Sequence, residues 1–119
     1  MSTRSLIGIK KNNKYVYVYC HFDGYPEGVG KTLIENYTYT EIIEELILKG
    51  DMSSLENTIE STTFYEDDSR PSVCDIHNIP NIGQEFIYMW YNKKWHCGII
   101  DRWEPKGYDW SKLDKIEIK

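Results

Sequence analysis

Several short stretches of the chain have residue types and spacing that could do chemistry. The first is "DGYPEGVGKTL", Asp23 to Leu33, which closes on Gly-Lys-Thr. A phosphate loop of the G-x-x-x-x-G-K-[ST] kind needs its leading glycine where the backbone turns tightly beneath the phosphates. Counting back from Gly30-Lys31-Thr32, that position holds Tyr25, and Gly24 lies one residue early. The spacing therefore argues against a phosphate cradle. Cys74-Asp75-Ile76-His77 has C-x-x-H spacing that His96-Cys97 could complete into a zinc site. Adjacent residues of a strand point to opposite faces, however, which keeps His96 and Cys97 from converging on one ion. His21 and Asp23 flank Phe22 and could form a carboxylate-oriented imidazole for acid/base work. Cys20 faces away from His21, and the plainer reading is a surface histidine beside a turn-forming aspartate.

The richest cluster lies later. Trp90, Asn92, Lys93, Lys94 and Trp95 surround one turn, and Arg102-Trp103 follow the returning strand. Indole faces can stack a purine, asparagine can pair with an adenine edge, and cationic side chains can neutralise a pyrophosphate. The same residues suit a plainer role, with the tryptophans plugging a core and the lysines keeping a hairpin in water. Residue chemistry alone favours that plainer role.

The elements that must position these residues follow from periodicity. "RSLIGIKKNNKYVYVYCHF" reads as two strands joined at Lys11-Asn12-Asn13-Lys14, since asparagine tolerates the left-handed backbone of a tight hairpin. In the second strand Val16, Val18, Cys20 and Phe22 share one face, opposite Tyr15, Tyr17, Tyr19 and His21. The tyrosine file could be covered by a second layer of the same chain or could drive self-association. Pro26 and Glu27 favour helix initiation, and Val29, Leu33 and Tyr37 then recur on one helical face. A second helix is predicted from Thr40 or Glu41 to Lys49, with a Thr38–Glu41 capping box and Gly50 as its C-terminal cap. Polar sequence follows from Asp51 to Ser72, with a short turn at Ser53-Ser54-Leu55. Its Glu66-Asp67-Asp68 cluster and Arg70-Pro71 mark a candidate mobile or ligand-ordered loop, although a plain solvated loop is the favoured reading of so charged a segment. "QEFIYMWYNKKWHCGIID" is a second hairpin turning at Asn92-Lys93-Lys94, with Phe86, Tyr88 and Trp90 opposite Ile87, Met89 and Tyr91. The tail ends in an alternating edge strand carrying Ile116 and Ile118.

Size and charge narrow the function. With 119 residues and 14.1 kDa the chain is expected to be one domain, 1–119, with a core that needs no staples. Three cysteines cannot all pair within the chain, and "MSTRSLIGIKK" lacks a secretion signal, so a reducing cytoplasm is expected. A formal charge of −5 disfavours long nucleic acids, whose non-specific binding depends on cationic side chains. No apolar run is long enough for a membrane span. Ten tyrosines and four tryptophans supply most of the aromatic content, a composition used for interfaces and stacking pockets as well as for cores.

The segments "MSTRSLIGIKK", "YVYCHFDGYPEGVGKTLIENY" and "LILKGDMSSL" resemble small phage and prophage proteins, and among functional families the Thoeris anti-defence protein one family. The resemblance covers the N-terminal half, through the "DGYPEGVG" corner and the "GDMSSL" turn. It implies a sponge that binds cyclic ADP-ribose-type immune signals without cleaving them. It further implies uptake of cyclic oligonucleotides by some members, and assembly into dimers and hexamers with ligand sites between protomers. On that resemblance "DGYPEGVGKTL" is a structural corner, and the protein acts in the host cytoplasm during infection.

The expected fold is α+β, an antiparallel sheet of two hairpins plus a C-terminal edge strand, packed by two α-helices. The expected activity is non-enzymatic sequestration of a small cyclic nucleotide by a homo-oligomer, with no catalytic residue, metal or cofactor. Ligand contacts are assigned to Trp90, Asn92, Trp95, Arg102 and Trp103, with Tyr25, Lys31 and Arg70 as further contacts. The alternatives are a phage or prophage inhibitor that binds a host defence complex through the tyrosine file, and a small nucleotide-processing enzyme centred on His21.

Overall fold

A computed structural model describes residues 2–66 and 69–118. Asp67 and Asp68 of the expected acidic cluster lie outside the described residues. The first hairpin is formed by β1 (Ser5–Lys11) and β2 (Lys14–Cys20), in register from Ser5 opposite Cys20 to Lys11 opposite Lys14. Its turn holds Asn12 at φ 59°, the left-handed conformation that asparagine accepts more readily than most residues. The second hairpin pairs β6 (Phe86–Tyr91) with β7 (Lys94–Ile99). Asn92 and Lys93 both have positive φ, 53° and 60°, matching the type I′ turn that suits the twist of a two-residue hairpin.

The two hairpins join through a parallel seam, β1 beside β6, with Ser5 opposite Phe86 and Ile9 opposite Trp90. The sheet is thus largely antiparallel, with this parallel junction at its centre and a second, single-residue parallel pairing of Cys20 with Met52. β8 (Asp114–Ile116) lines the far side of β7, as the alternating tail predicts. The polar stretch after Gly50 holds more order than expected. β3 (Met52–Ser54) and β4 (Thr63–Phe64) pair with each other, and β3 extends the sheet beside the end of β2. β5 (Ser72–Asp75) pairs with the start of β2. Such short strands show too little alternation to be read from sequence.

Both helices cover one face of the sheet. A π-helical turn, Pro26–Gly30, runs into α1 (Lys31–Asn36), and α2 is Thr40–Leu48. Val29, Leu33 and Tyr37 are buried with Ile43, Leu46 and Ile47 against Ile7, Ile9, Val18, Tyr88 and Trp90. Gly50 ends α2 at φ 92°, donating its N–H to the Ile47 carbonyl at 3.0 Å. The expected Thr38 cap is not made: Tyr39 is the N-cap, with extended backbone and no side-chain cap bond. The neighbouring Thr40 hydroxyl instead accepts the Trp90 indole N–H at 3.0 Å.

The opposite face carries a second core, which settles the role of two members of the tyrosine file. Tyr15 and Tyr17 stack 5.0 Å apart and are buried with Leu6, Ile76, Ile79, Ile87, Met89 and Trp110. Their cover is chain, from segments 76–79 and 108–113, so these two rings are not the exposed surface that motivated self-association or inhibitor docking. Gly8 and Gly98 lie under Tyr15 and Trp110; a Cβ on Gly8 would sit 2.7 Å from the Tyr15 ring and one on Gly98 2.7 Å from Trp110. The Tyr15 hydroxyl crosses β1 to donate to the Tyr88 carbonyl at 2.7 Å.

Substitution at Tyr15 should therefore be felt as instability. Tyr15→Phe is expected to lose about 1 kcal/mol, and Tyr15→Ala about 3–5 kcal/mol, in urea unfolding. Light scattering on Tyr15→Phe should give the same particle mass as the parent; a change of mass with unchanged unfolding would place Tyr15 at an interface instead.

Candidate functional site

The indoles of Trp90 and Trp95 face each other across β6 and β7, ring centres 5.4 Å apart. Both are almost wholly buried, at 5% and 8% exposure. Each ties its polar atom to the link between the helices: Trp90 to Thr40, and Trp95 to the Tyr37 carbonyl at 2.9 Å. Their main work is thus to bind the second hairpin to α1 and α2, and their rings cannot sandwich a purine. Their edges nonetheless reach a surface depression of about 250 Å³ whose rim carries Ile34, Thr38, Lys93 and Lys94. Glu117 is the one carboxylate among its described lining residues. Asn92 is not among the lining residues and serves the turn.

Arg102 and Trp103 stand elsewhere. β7 runs away from the hairpin turn, and the seven residue steps from Trp95 to Arg102 span up to about 23 Å at a strand rise of ~3.3 Å. The two side chains project from the loop after β7, Arg102 4.0 Å from Glu104 and Trp103 71% exposed. They border two adjoining clefts, of about 460 and 270 Å³, that share Ile100, Asp101, Arg102 and Tyr108. The assigned contacts Trp90, Asn92, Trp95, Arg102 and Trp103 therefore do not form one site. The strand that carries them separates them.

The further contacts lie apart again. Tyr25 is partly exposed, its hydroxyl 3.3 Å from an Asp23 carboxylate oxygen, and that carboxylate raises the phenol's pKa. Lys31 is exposed at the start of α1. The corner before it is built tightly. Asp23 has φ 58°, and a Cβ on Gly28 would lie 2.4 Å from the Asp23 carbonyl oxygen. The Tyr88 hydroxyl donates to the Gly24 carbonyl at 2.6 Å. These are features of a corner that ties helix to sheet. Arg70 borders a depression of about 450 Å³ with Leu48, Lys49 and Tyr65.

The reactive side chains are occupied. His21 Nδ1 lies 2.6 Å from the Tyr19 hydroxyl, so its partner is a tyrosine rather than Asp23. Burial pushes the thiols of Cys20 and Cys74 up to about 11 and that of Cys97 up to about 12, leaving them protonated and weakly nucleophilic at neutral pH. His96 stacks on Tyr91, centres 3.6 Å apart, and burial lowers its pKa. No group of three or more metal-binding side chains comes together among the described residues. None of the described helices is long and apolar enough to cross a membrane.

His77, expected beside Cys74, instead places Nδ1 2.9 Å from Asp109 Oδ1, which also accepts from the Ser111 hydroxyl at 2.7 Å. This contact joins the two segments that cover the second core. Residues 32 apart in sequence carry no shared pattern, so nothing in the chain announces it. Against family models, curated proteins and solved structures alike, the chain finds no match.

Two outcomes follow. Asn92→Gly keeps the left-handed turn and should leave both stability and any nucleotide affinity near the parent's, whereas Asn92→Ala should lose about 1 kcal/mol in unfolding. A carboxamide that contacts ligand would reveal itself as weaker binding by Asn92→Gly. The second outcome concerns acid. Hydrogen bonds from Ser111, and then from His77, hold Asp109 down to about 2, from an ordinary 3.8. Since the folded value is the lower one, the stabilisation is present above the ordinary value and is lost as pH falls through about 2. Melting temperature should drop less steeply in Asp109→Asn than in the parent across that window; parallel curves would show the contact to be inert.

Proposed function

We propose that the protein is a non-catalytic binder that sequesters a small anionic nucleotide of the cyclic ADP-ribose type, in the cytoplasm of an infected host. The observation that carries the reading is the depression at the hairpin end, where indole edges meet Lys93 and Lys94. An adenine ring can lie against apolar indole edges and Ile34, and the two ammonium groups can meet a pyrophosphate as point charges. Lys93 is held by a left-handed turn, so the charge it brings is placed by the backbone before ligand arrives.

The resemblance of the N-terminal half to the Thoeris anti-defence protein one family supports the same ligand class. So does the chemistry of the protonated thiols and of His21, which favours holding a nucleotide over processing it. At about 250 Å³ the depression is smaller than the roughly 300–1,000 Å³ of pockets that enclose a whole ligand. A second copy of the chain would supply the missing wall, which suits a homo-oligomeric sponge and extends to cyclic oligonucleotides bridging two such half-sites.

Titration calorimetry with cyclic ADP-ribose tests the reading. Lys93→Asn/Lys94→Gln removes both charges while asparagine tolerates the turn, and should weaken binding by about tenfold or more with a near-parental melting temperature. Arg102→Ala, at the far end of β7, should bind as the parent does. Ligand released by heating the complex should be intact by mass spectrometry. Converted nucleotide would mean an enzyme, and parental affinity in the lysine variant would move the site away from the hairpin.

A further inference from the structure

The clefts beside Arg102 play no part in the nucleotide reading, and their chemistry is of the opposite sign. We infer that they form a docking surface for a basic protein segment, with Trp103 as the anchor. The carboxylates lining the two clefts are Glu85, Asp101, Glu104, Asp109 and Asp114. The cations lining them are Arg102 and Lys112, and Arg4 comes near Gly83 from outside. Arg102 is already 4.0 Å from Glu104, and Asp109 is engaged by His77 and Ser111. Glu85, Asp101 and Asp114 are therefore the carboxylates left to receive an incoming guanidinium or ammonium group. An anionic nucleotide is repelled from this place, and a long polyanion still more so.

Exposed apolar side chains point to a protein as the occupant. Trp103 is 71% exposed and Ile82, beside the lining residues Asn81 and Gly83, is 47% exposed. Tryptophan is one of the residues enriched among energetic anchors at protein interfaces, and its face attracts arginine and lysine. The loop that presents it is held before Trp103, where Ile100 donates its N–H to the Glu85 carbonyl at 3.0 Å, and again after it. Asn81 donates to the Glu104 carbonyl at 3.1 Å, Gly107 donates to the same carbonyl at 3.1 Å, and Ile79 and Tyr108 exchange backbone bonds of 2.7 Å. A loop whose backbone is already tied loses little backbone entropy when its indole is covered. A basic partner matches the carboxylates, whereas a second copy of this acidic chain, at −5, would bring like charge to them. The proposed surface includes the outer side of segment 108–113, which buries Tyr15 and Tyr17, the first candidates for such a role.

The test uses the full chain, a short arginine-and-glycine peptide, and a glutamate-and-glycine peptide as control, with affinity read by fluorescence anisotropy and location by amide chemical shifts. The basic peptide should bind and shift amides of residues 81–85 and 100–114, while the acidic one should not bind. Asp101→Asn/Asp114→Asn should weaken it by about tenfold, and Trp103→Ser by about fivefold or more, with the melting temperature unchanged because both sites are at the surface. Lys93→Asn/Lys94→Gln should leave the peptide affinity as it was, which separates this inference from the nucleotide reading. Equal binding of both peptides, shifts confined to other surfaces, or full affinity in the two cleft variants would overturn it. So would a concentration-dependent dimer abolished by Trp103→Ser, which would make a second copy the occupant.

Discussion

A phenol hydroxyl taken out of water must find an acceptor or destabilise the fold by about 1–3 kcal/mol, and the arrangement of this sheet depends on how Tyr15 meets that demand. Its acceptor, the Tyr88 carbonyl, belongs to a strand two positions away, with β1 between them. The crossing is open only because residue 8 is glycine: a Cβ there would lie 2.2 Å from the Val16 carbonyl oxygen and 2.7 Å from the Tyr15 ring. The bond stitches the first hairpin to the second over their parallel seam. Tyr88 continues the chain of contacts on the other face, where its hydroxyl bonds Gly24 and fixes the corner that launches α1. Gly24 in turn donates to the Thr3 carbonyl at 2.8 Å, closing the corner onto the start of β1. One residue of a central strand thus joins the two hairpins and fixes the corner before α1.

The hairpins and helices were legible because each carries a pattern longer than its noise. β2 alternates without a break from Tyr15 to Cys20, and every one of those side chains lies on the face that the alternation assigns. Gly50 and the asparagines at 12 and 92 mark turns through backbone conformations that few other residues accept. The second layer had no such signature. It is made by Ile76, Ile79, Tyr108 and Trp110, single side chains on irregular backbone, and their pairing spans more than 20 residues with no period to follow. The strands between Met52 and Asp75 are two to four residues long, and a polar sequence of that length reads equally well as loop.

The ligand contacts were less legible for a related reason. Residue chemistry says what a tryptophan could do, while burial decides what it does. The two indoles of the second hairpin spend their N–H groups on Thr40 and the Tyr37 carbonyl, and only their edges remain at the surface. Proximity in sequence also misled. Trp95 and Arg102 are near neighbours along the chain, but an extended strand converts a short sequence interval into the width of the domain. The plainer of the two roles weighed for the hairpin, core plug and polar turn, accounts for most of what Trp90, Trp95 and Asn92 do, while Lys93 and Lys94 are left to carry the surface chemistry.

What results is a strand with opposite electrostatics at its two ends. In a chain with 19 carboxylates and 14 Lys and Arg side chains, a cationic spot can persist only where the fold concentrates its bases, and the tight turn does this by setting Lys93 and Lys94 side by side. At the other end the loop after β7 gathers carboxylates around a single exposed indole. The two ends are too far apart, at well over the ~8–10 Å screening length of physiological salt, for one to cancel the field of the other. Each therefore presents its own sign to whatever approaches. On the two proposals together, a small anion and a basic protein segment would be held at opposite ends of one strand, with the sheet between them.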